Sequence, residues 1–214
     1  MSEVQKPKVI FVDWYKTLST SLFWVNHTDA LLSPQELNGI CSFLFYESGL
    51  VDLWMTGFIN SEKVIAEIAA VLHIDARRVL QELVYSCKVM ELSDTRVPSI
   101  IQELRRQGIK VVLATDNMDT FERWTVPALD LSTMFDSVIT SASRGVLKSE
   151  VQDDYSPFFG DYLVQNGIKP TEAVLVDDSP VDRVVIATGL GFRRVDHPKH
   201  LASILSGLLE TAEV

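Results

Sequence analysis

Three short apolar runs each stop at a polar cluster, and that recurrence constrains the fold more than any other feature of the chain. Val9–Val12 runs into Asp13, Ile109–Ala114 into Thr115-Asp116-Asn117, and Ala173–Val176 into Asp177-Asp178-Ser179. Val9–Val12 is unbroken, which suits a strand buried on both faces, while Lys110 interrupts the second run near its start. Helical patterns separate the later runs. Pro98 opens one that carries Ile100, Ile101 and Leu104 and stops at Gly108, and Tyr155 to Asn166 forms another, stopped by Gly167. Phe135–Thr140 and Phe192–Val195 are shorter candidate strands. Strands alternating with helices at this spacing imply right-handed crossovers and a parallel sheet, an α/β fold with all the strand tips on one edge. Open sheets of this kind bind their ligands at the carboxyl ends of the strands, which is where the polar clusters fall.

Between Ser19 and about Met90 the period is helical throughout. Ser33-Pro34-Gln35-Glu36 reads as a capping box with Pro in the first turn, followed by Leu37, Ile40, Cys41, Leu44 and Phe45 on one face. Ser61 is placed to cap a second helix with the stripe Val64, Ile65, Ile68, Val71 and Leu72. Asp75 is placed to cap a third with Val79, Leu80, Leu83, Val84 and Cys87. Trp54, Met55 and Phe58 are expected to close this bundle, and Trp24 and Tyr46 to pack there or to face a cleft. The chain thus divides into a core, 1–18 with 92–214, and an all-helical insert, 19–91.

Composition narrows the partners. With 214 residues, 47% of them apolar and 22% charged, the chain can bury a core. A net charge of −10 disfavours nucleic acid or an anionic membrane surface, both of which reward basic patches, and leaves a small molecule as the expected ligand. Cys41 and Cys87, the two cysteines, lie in helical patterns without metal-ligand spacing, so free thiols in a reducing compartment are expected. The amino terminus carries no signal-peptide apolar region and no apolar run reaches membrane-spanning length, which reads as cytoplasmic. None of His27, His73, His197 and His200 has zinc spacing or a Ser or Cys partner in pattern.

The expected binding edge gathers Asp13, Thr115, Lys148 from the Gly145–Lys148 loop, Asp177, Asp178 and, four residues past Asp178, Asp182. Carboxylates crowded together repel unless a cation neutralises them, and an all-oxygen set suits Mg²⁺. A hydroxyl, the amides that open the helix after Asn117, and a lysine converge where a phosphoryl group needs its charge neutralised. Asp13 is then placed to form an aspartyl phosphate. Asp116 and Asn117 are placed either to touch substrate or to cap the helix around Asp119, and Lys16 either to bind an anion or to extend into solvent.

In order and type these residues resemble the haloacid dehalogenase superfamily, over nearly the whole chain. The four motifs of that family match Asp13 with Thr17-Leu18, Thr115, Lys148, and Asp177-Asp178 with Asp182. The insert falls where one branch of the family carries a helical cap over a Rossmann-like core. The resemblance implies Asp13 as nucleophile, and Mg²⁺ held by Asp13, Asp178 and the backbone carbonyl of Tyr15. It further implies Thr115 and Lys148 on the phosphoryl oxygens, with Asp177 and Asp182 supporting the metal. Phosphatases of the family carry a second Asp two residues after the nucleophile as general acid and base. Tyr15 stands there, and a phenol is a poor base at neutral pH, so catalysis worth roughly 10² to 10⁴ in rate is at stake. Lys16 replaces the usual Gly of that turn, and Glu150 stands near where the family follows its Lys with Pro-Asp.

Three readings remain open on the sequence. One is an Mg²⁺-dependent phosphatase acting on a small phosphorylated metabolite. The second is a 2-haloacid dehalogenase, whose branch also has Asp-x-Tyr followed by Thr-Leu. Dehalogenases, however, need no metal, replace the acidic pair with Ser and Asn, and use an Arg early in the cap, and no Arg lies between Trp14 and Ala76. The third is a catalytically impaired member that binds a phosphorylated ligand.

Overall fold

A computed structural model describes residues 6–24, 30–179 and 182–210. His27 lies outside them, as does the side chain of Asp182. Five parallel strands, β1 (Val9–Val12), β2 (Lys110–Thr115), β3 (Ser137–Thr140), β4 (Ala173–Asp177) and β5 (Gly191–Arg194), form one sheet in the order β3-β2-β1-β4-β5. Every side chain of β1 is fully buried, as its unbroken apolar run requires of the central strand. The period of two divides it. Val9 and Phe11 face a cluster with Phe158, Phe159 and Leu175, while Ile10 and Val12 face one with Ile101, Leu104 and Leu205. The first face is covered by α9 (Pro157–Gln165) and α10 (Asp182–Thr188), the second by α5 (Val97–Arg106) and α11 (Leu201–Glu210).

The strands begin and end within two residues of the expected limits, and the differences have local causes. Thr115 still pairs with Thr140 in the ladder, so the residue ends β2 instead of following it. The Ser156 hydroxyl accepts from Phe159 N (3.3 Å) with Pro157 beside it, which starts α9 after Tyr155.

The insert between β1 and β2 holds α1 (Pro34–Ser42), a π-helical turn (Phe43–Glu47), α2 (Leu50–Met55), α3 (Ser61–Leu72) and α4 (Ala76–Lys88). The Ser33 and Glu36 capping box is reciprocal, at 3.2 and 2.7 Å, and Asp75 caps α4 through Arg78 N at 3.0 Å. For α3 the cap is Asn60, whose Oδ1 accepts from Lys63 N at 3.0 Å, not Ser61; Ser61 is the first helical residue and its hydroxyl is committed elsewhere. Trp54 is fully buried against Phe23 and Trp24 and Met55 packs at the edge of the cluster. Phe58, by contrast, is 81% exposed. It sits in the turn after α2, where Gly57 (φ +69°) brings the backbone against Ala142, and this turn points its side chain outward. Trp24 is buried and does not face a cleft, and its indole N–H donates to Val79 O (3.4 Å); Tyr46 is exposed.

Insert and core share one apolar cluster through Trp14, Leu18 and Phe121. They are also tied by Asp119, which accepts from the Trp54 indole (2.7 Å), the Ser61 hydroxyl (2.5 Å) and Arg123 (2.9 Å), while Arg123 also pairs with Glu62 (2.7 Å). Short helical turns α6 (Val126–Ala128), α7 (Leu131–Met134) and α8 (Ser141–Arg144) complete the core. Among the described residues, no helix is long and apolar enough to cross a membrane.

Candidate active site

Sheet register assembles the site. Asp13 leaves β1 with its amide donating to Val176 O on β4 (3.0 Å), which sets its carboxylate beside the end of that strand. Thr115 lies level with Thr140, and Asp177 level with Arg194. Lys148 comes from the loop after α8. Gly145, at φ +73°, ends that helix in the left-handed region a glycine adopts without cost. The loop then closes on itself, Leu147 N donating to Glu150 Oε1 (3.0 Å), and is anchored to β2 by Lys148 N donating to Asp116 Oδ1 (2.8 Å). Glu150 thus has a local task in shaping the lysine's loop.

The Lys148 ammonium is 2.7 Å from Asp13 Oδ1 and 2.7 Å from Asp177 Oδ2, with all three side chains buried. Asp177 Oδ1 accepts from Ser179 N at 2.9 Å. Carboxylate oxygens of Asp13, Asp177 and Asp178 all come within 4.8 Å of one another. Three carboxylates against one ammonium leave negative charge in a desolvated place. Burial pushes the Asp13 carboxyl up; Lys148 pulls it back, Asp177 pushes it up again, and it settles at about 6. Burial and Asp177 raise Asp178 as well. Lys148 has the opposite balance, burial working to discharge it and being outweighed by Asp13, Asp177 and Asp116, so that it is held charged.

A divalent cation fits this donor set. All three side chains offer hard oxygens, the preference of Mg²⁺, and the second Asp13 oxygen and the Asp178 carboxylate remain beside those that Lys148 occupies. Such an ion would be held by Asp13 and Asp178, with Asp177 fixed behind them by Lys148 and Ser179.

Asp13, Tyr15, Lys16, Thr115, Asp116, Lys148 and Asp178 line one cavity of about 300 Å³, together with Ser149 and Ser179. Neither serine stood out in the sequence; their adjacency to Lys148 and to the acidic pair was the available signal. Asn117 is not part of this lining: its Oδ1 accepts from Met118 N (3.1 Å) and its amide donates to the Ser141 hydroxyl (2.9 Å). Asp182 begins α10 on the same side of the sheet.

The turn after Asp13 is wound on Trp14 O, which accepts from Leu18 N and Ser19 N at 2.9 Å each, and Lys16 N donates to Ser19 O (2.7 Å). Trp14 is buried against Phe121, so Tyr15 and Lys16 are what the turn presents to the cavity. Lys16 sits at φ +58°, a conformation that costs a residue with a Cβ about 1 kcal/mol, and its ammonium lies 5.3 Å from the Tyr15 ring centre.

No family model and no curated protein matches the sequence. Solved structures do match the fold. A predicted HAD-like family hydrolase from Porphyromonas gingivalis superposes with a TM-score of 0.66 at 17% identity, over 96% of this chain and 98% of that one. The chain has the haloacid dehalogenase fold. A HAD family enzyme from Bacteroides thetaiotaomicron, in complex with magnesium and inorganic phosphate, has this fold too (TM-score 0.64, 15% identity, 88% and 93% covered). So does the L-2-haloacid dehalogenase from Xanthobacter autotrophicus (TM-score 0.57, 17% identity, 87% and 75% covered). Metal-bound and dehalogenating members of the haloacid dehalogenase fold therefore both stand among its structural neighbours.

Proposed function

We propose that the protein is an Mg²⁺-dependent phosphohydrolase acting on a small anionic phosphate ester. The observation that carries this reading is the meeting of the Asp13, Asp177 and Asp178 carboxylates with Lys148 at one cavity. A phosphoryl group there is oriented by the Thr115 hydroxyl and the Lys148 ammonium. Asp13 attacks phosphorus, the ester oxygen leaves with the bond's electron pair, and an aspartyl phosphate forms that water then hydrolyses. Bound Mg²⁺ supplies charge neutralisation for the transferring oxygens. The unbridged Cys41 and Cys87 support a reducing, cytoplasmic setting.

Tyr15 shapes the kinetics. An activated aryl leaving group departs without a proton, but the water that breaks the acyl phosphate meets Tyr15, a poor base, two residues after the nucleophile. The second step is the one that suffers, and phosphoenzyme accumulates. Aryl phosphates should show a burst followed by slow turnover, and alkyl phosphates should be slow throughout. Asp13→Asn should abolish both phases; turnover that survives in that variant without metal removes the reading.

The Tyr15, Thr17 and Leu18 pattern, which resembles dehalogenases, supports a second reading as a 2-haloacid dehalogenase. Release of chloride from 2-chloropropionate in the presence of a chelator would favour it over the first.

A further inference from the structure

A second cavity, of about 420 Å³, shares Lys16 and Asp178 with the catalytic one and is otherwise formed by Thr20 and the segment from Arg194 to Pro198. We infer that this cavity is a subsite for a second anionic group of the substrate, a carboxylate or another phosphate, held by Lys16, Arg194 and His197. The inference rests on the phosphohydrolase reading for the identity of the first group only.

Three observations carry it. Lys16 occupies a left-handed position natural to glycine, and the turn that imposes this conformation makes the residue part of the lining of both cavities. A strained residue whose side chain faces a ligand space points to function. Arg194 ends β5 level with Asp177, so the strand that flanks the acidic pair brings a guanidinium to the same edge. Its Nε pairs with Asp196 at 3.1 Å, an exposed contact of small worth, and among the described residues the planar fork keeps its terminal amino groups for an oxyanion. His197 Nδ1 accepts from Lys199 N (3.2 Å), which fixes the proton on Nε2 and makes that nitrogen a donor. In a chain of net charge −10, three donors of this kind around one cavity depart from the surface at large. Asp178 and Asp196 oppose them in part, Asp178 less so once it faces a bound cation.

The test compares propylphosphonate with phosphonobutyrate by calorimetry on the full chain, Mg²⁺ in excess over ligand. The wild type should bind the carboxylate-bearing ligand at least about tenfold more tightly, about 1.4 kcal/mol. Arg194→Gln should reduce that ratio toward one, and so should Lys16→Gly, whose backbone relaxes so that its melting temperature holds or rises. Equal affinities in the wild type, or a preference that both variants retain, overturn the subsite. If aryl phosphates are turned over while no preference exists, the subsite fails and the catalytic reading stands; if no ester is turned over while the preference and its loss persist, the reverse holds. Absence of binding by either phosphonate overturns the subsite.

Discussion

Replacing Lys148 by methionine removes the ammonium that lies between Asp13 and Asp177 while keeping an unbranched side chain as far as Cε. Only the backbone hydrogen bond at Trp14 then still pulls the Asp13 carboxyl down, against burial and Asp177, both of which raise it. Its folded pKa must rise from about 6, while the unfolded value stays near 3.9. The folded state of the variant therefore binds more protons than the unfolded state over a wider range, and its stability falls as pH climbs through that range, by up to about 1.4 kcal/mol per unit for one proton. In the wild type this loss is complete above about pH 6; in Lys148→Met it continues. The difference between the two should be small below pH 5, open above pH 6, and grow to at most about 2.7 kcal/mol by pH 8. Urea unfolding of both proteins from pH 5 to 8 measures it. Saturating Mg²⁺ should offset the loss, by up to about 2.7 kcal/mol at a hundredfold excess over its dissociation constant. A deficit that does not vary with pH, or that magnesium leaves untouched, would refute the electrostatic account of the site.

Other consequences are as specific. Because a proton and a cation compete for Asp13, apparent Mg²⁺ affinity should rise up to tenfold per pH unit as pH approaches about 6 and level off above it; titration calorimetry across pH 5 to 8 reads the plateau. Asp119→Ala leaves the buried Trp54 indole N–H and the Ser61 hydroxyl without their acceptor, a loss of about 1–3 kcal/mol measurable by denaturant unfolding. Gly57→Ala forces φ +69° on alanine and sets its Cβ 2.3 Å from Ala142 O. This should lower stability by more than the roughly 1 kcal/mol of the conformation alone, whereas an unchanged midpoint would show that the turn moves freely.

The sheet could be read from the chain because its strands are written twice, once in apolar run length and once in the polar residue that ends each run. Val9–Val12 has that form, and burial on both faces enforces it. Local capping was legible for the same reason: Ser33 with Glu36, and Asp75, act on amides three residues away. Ser61 and Phe58 were misread because their partners are remote. Ser61 gives its hydroxyl to Asp119 across the insert–core boundary, and Phe58 follows a glycine that docks on Ala142. Lys148 between Asp13 and Asp177, and Glu150 folded onto its own loop, depend on a path through α8 that no periodicity encodes. Asp116 stood open between substrate and cap, and its carboxylate instead takes the Lys148 amide, still at the cavity.

Covalent trapping tests the central claim, that Asp13 is the nucleophile that receives the phosphoryl group at a metal-dependent site, most directly. Wild-type protein is mixed with an aryl phosphate and Mg²⁺, quenched in acid within the burst, and its peptides are mapped by mass. The account predicts a phosphoryl group on the Asp13 peptide, lost when a chelator replaces Mg²⁺ or Asn replaces Asp13. Ester hydrolysis that proceeds while this peptide remains unmodified at every time point would contradict it.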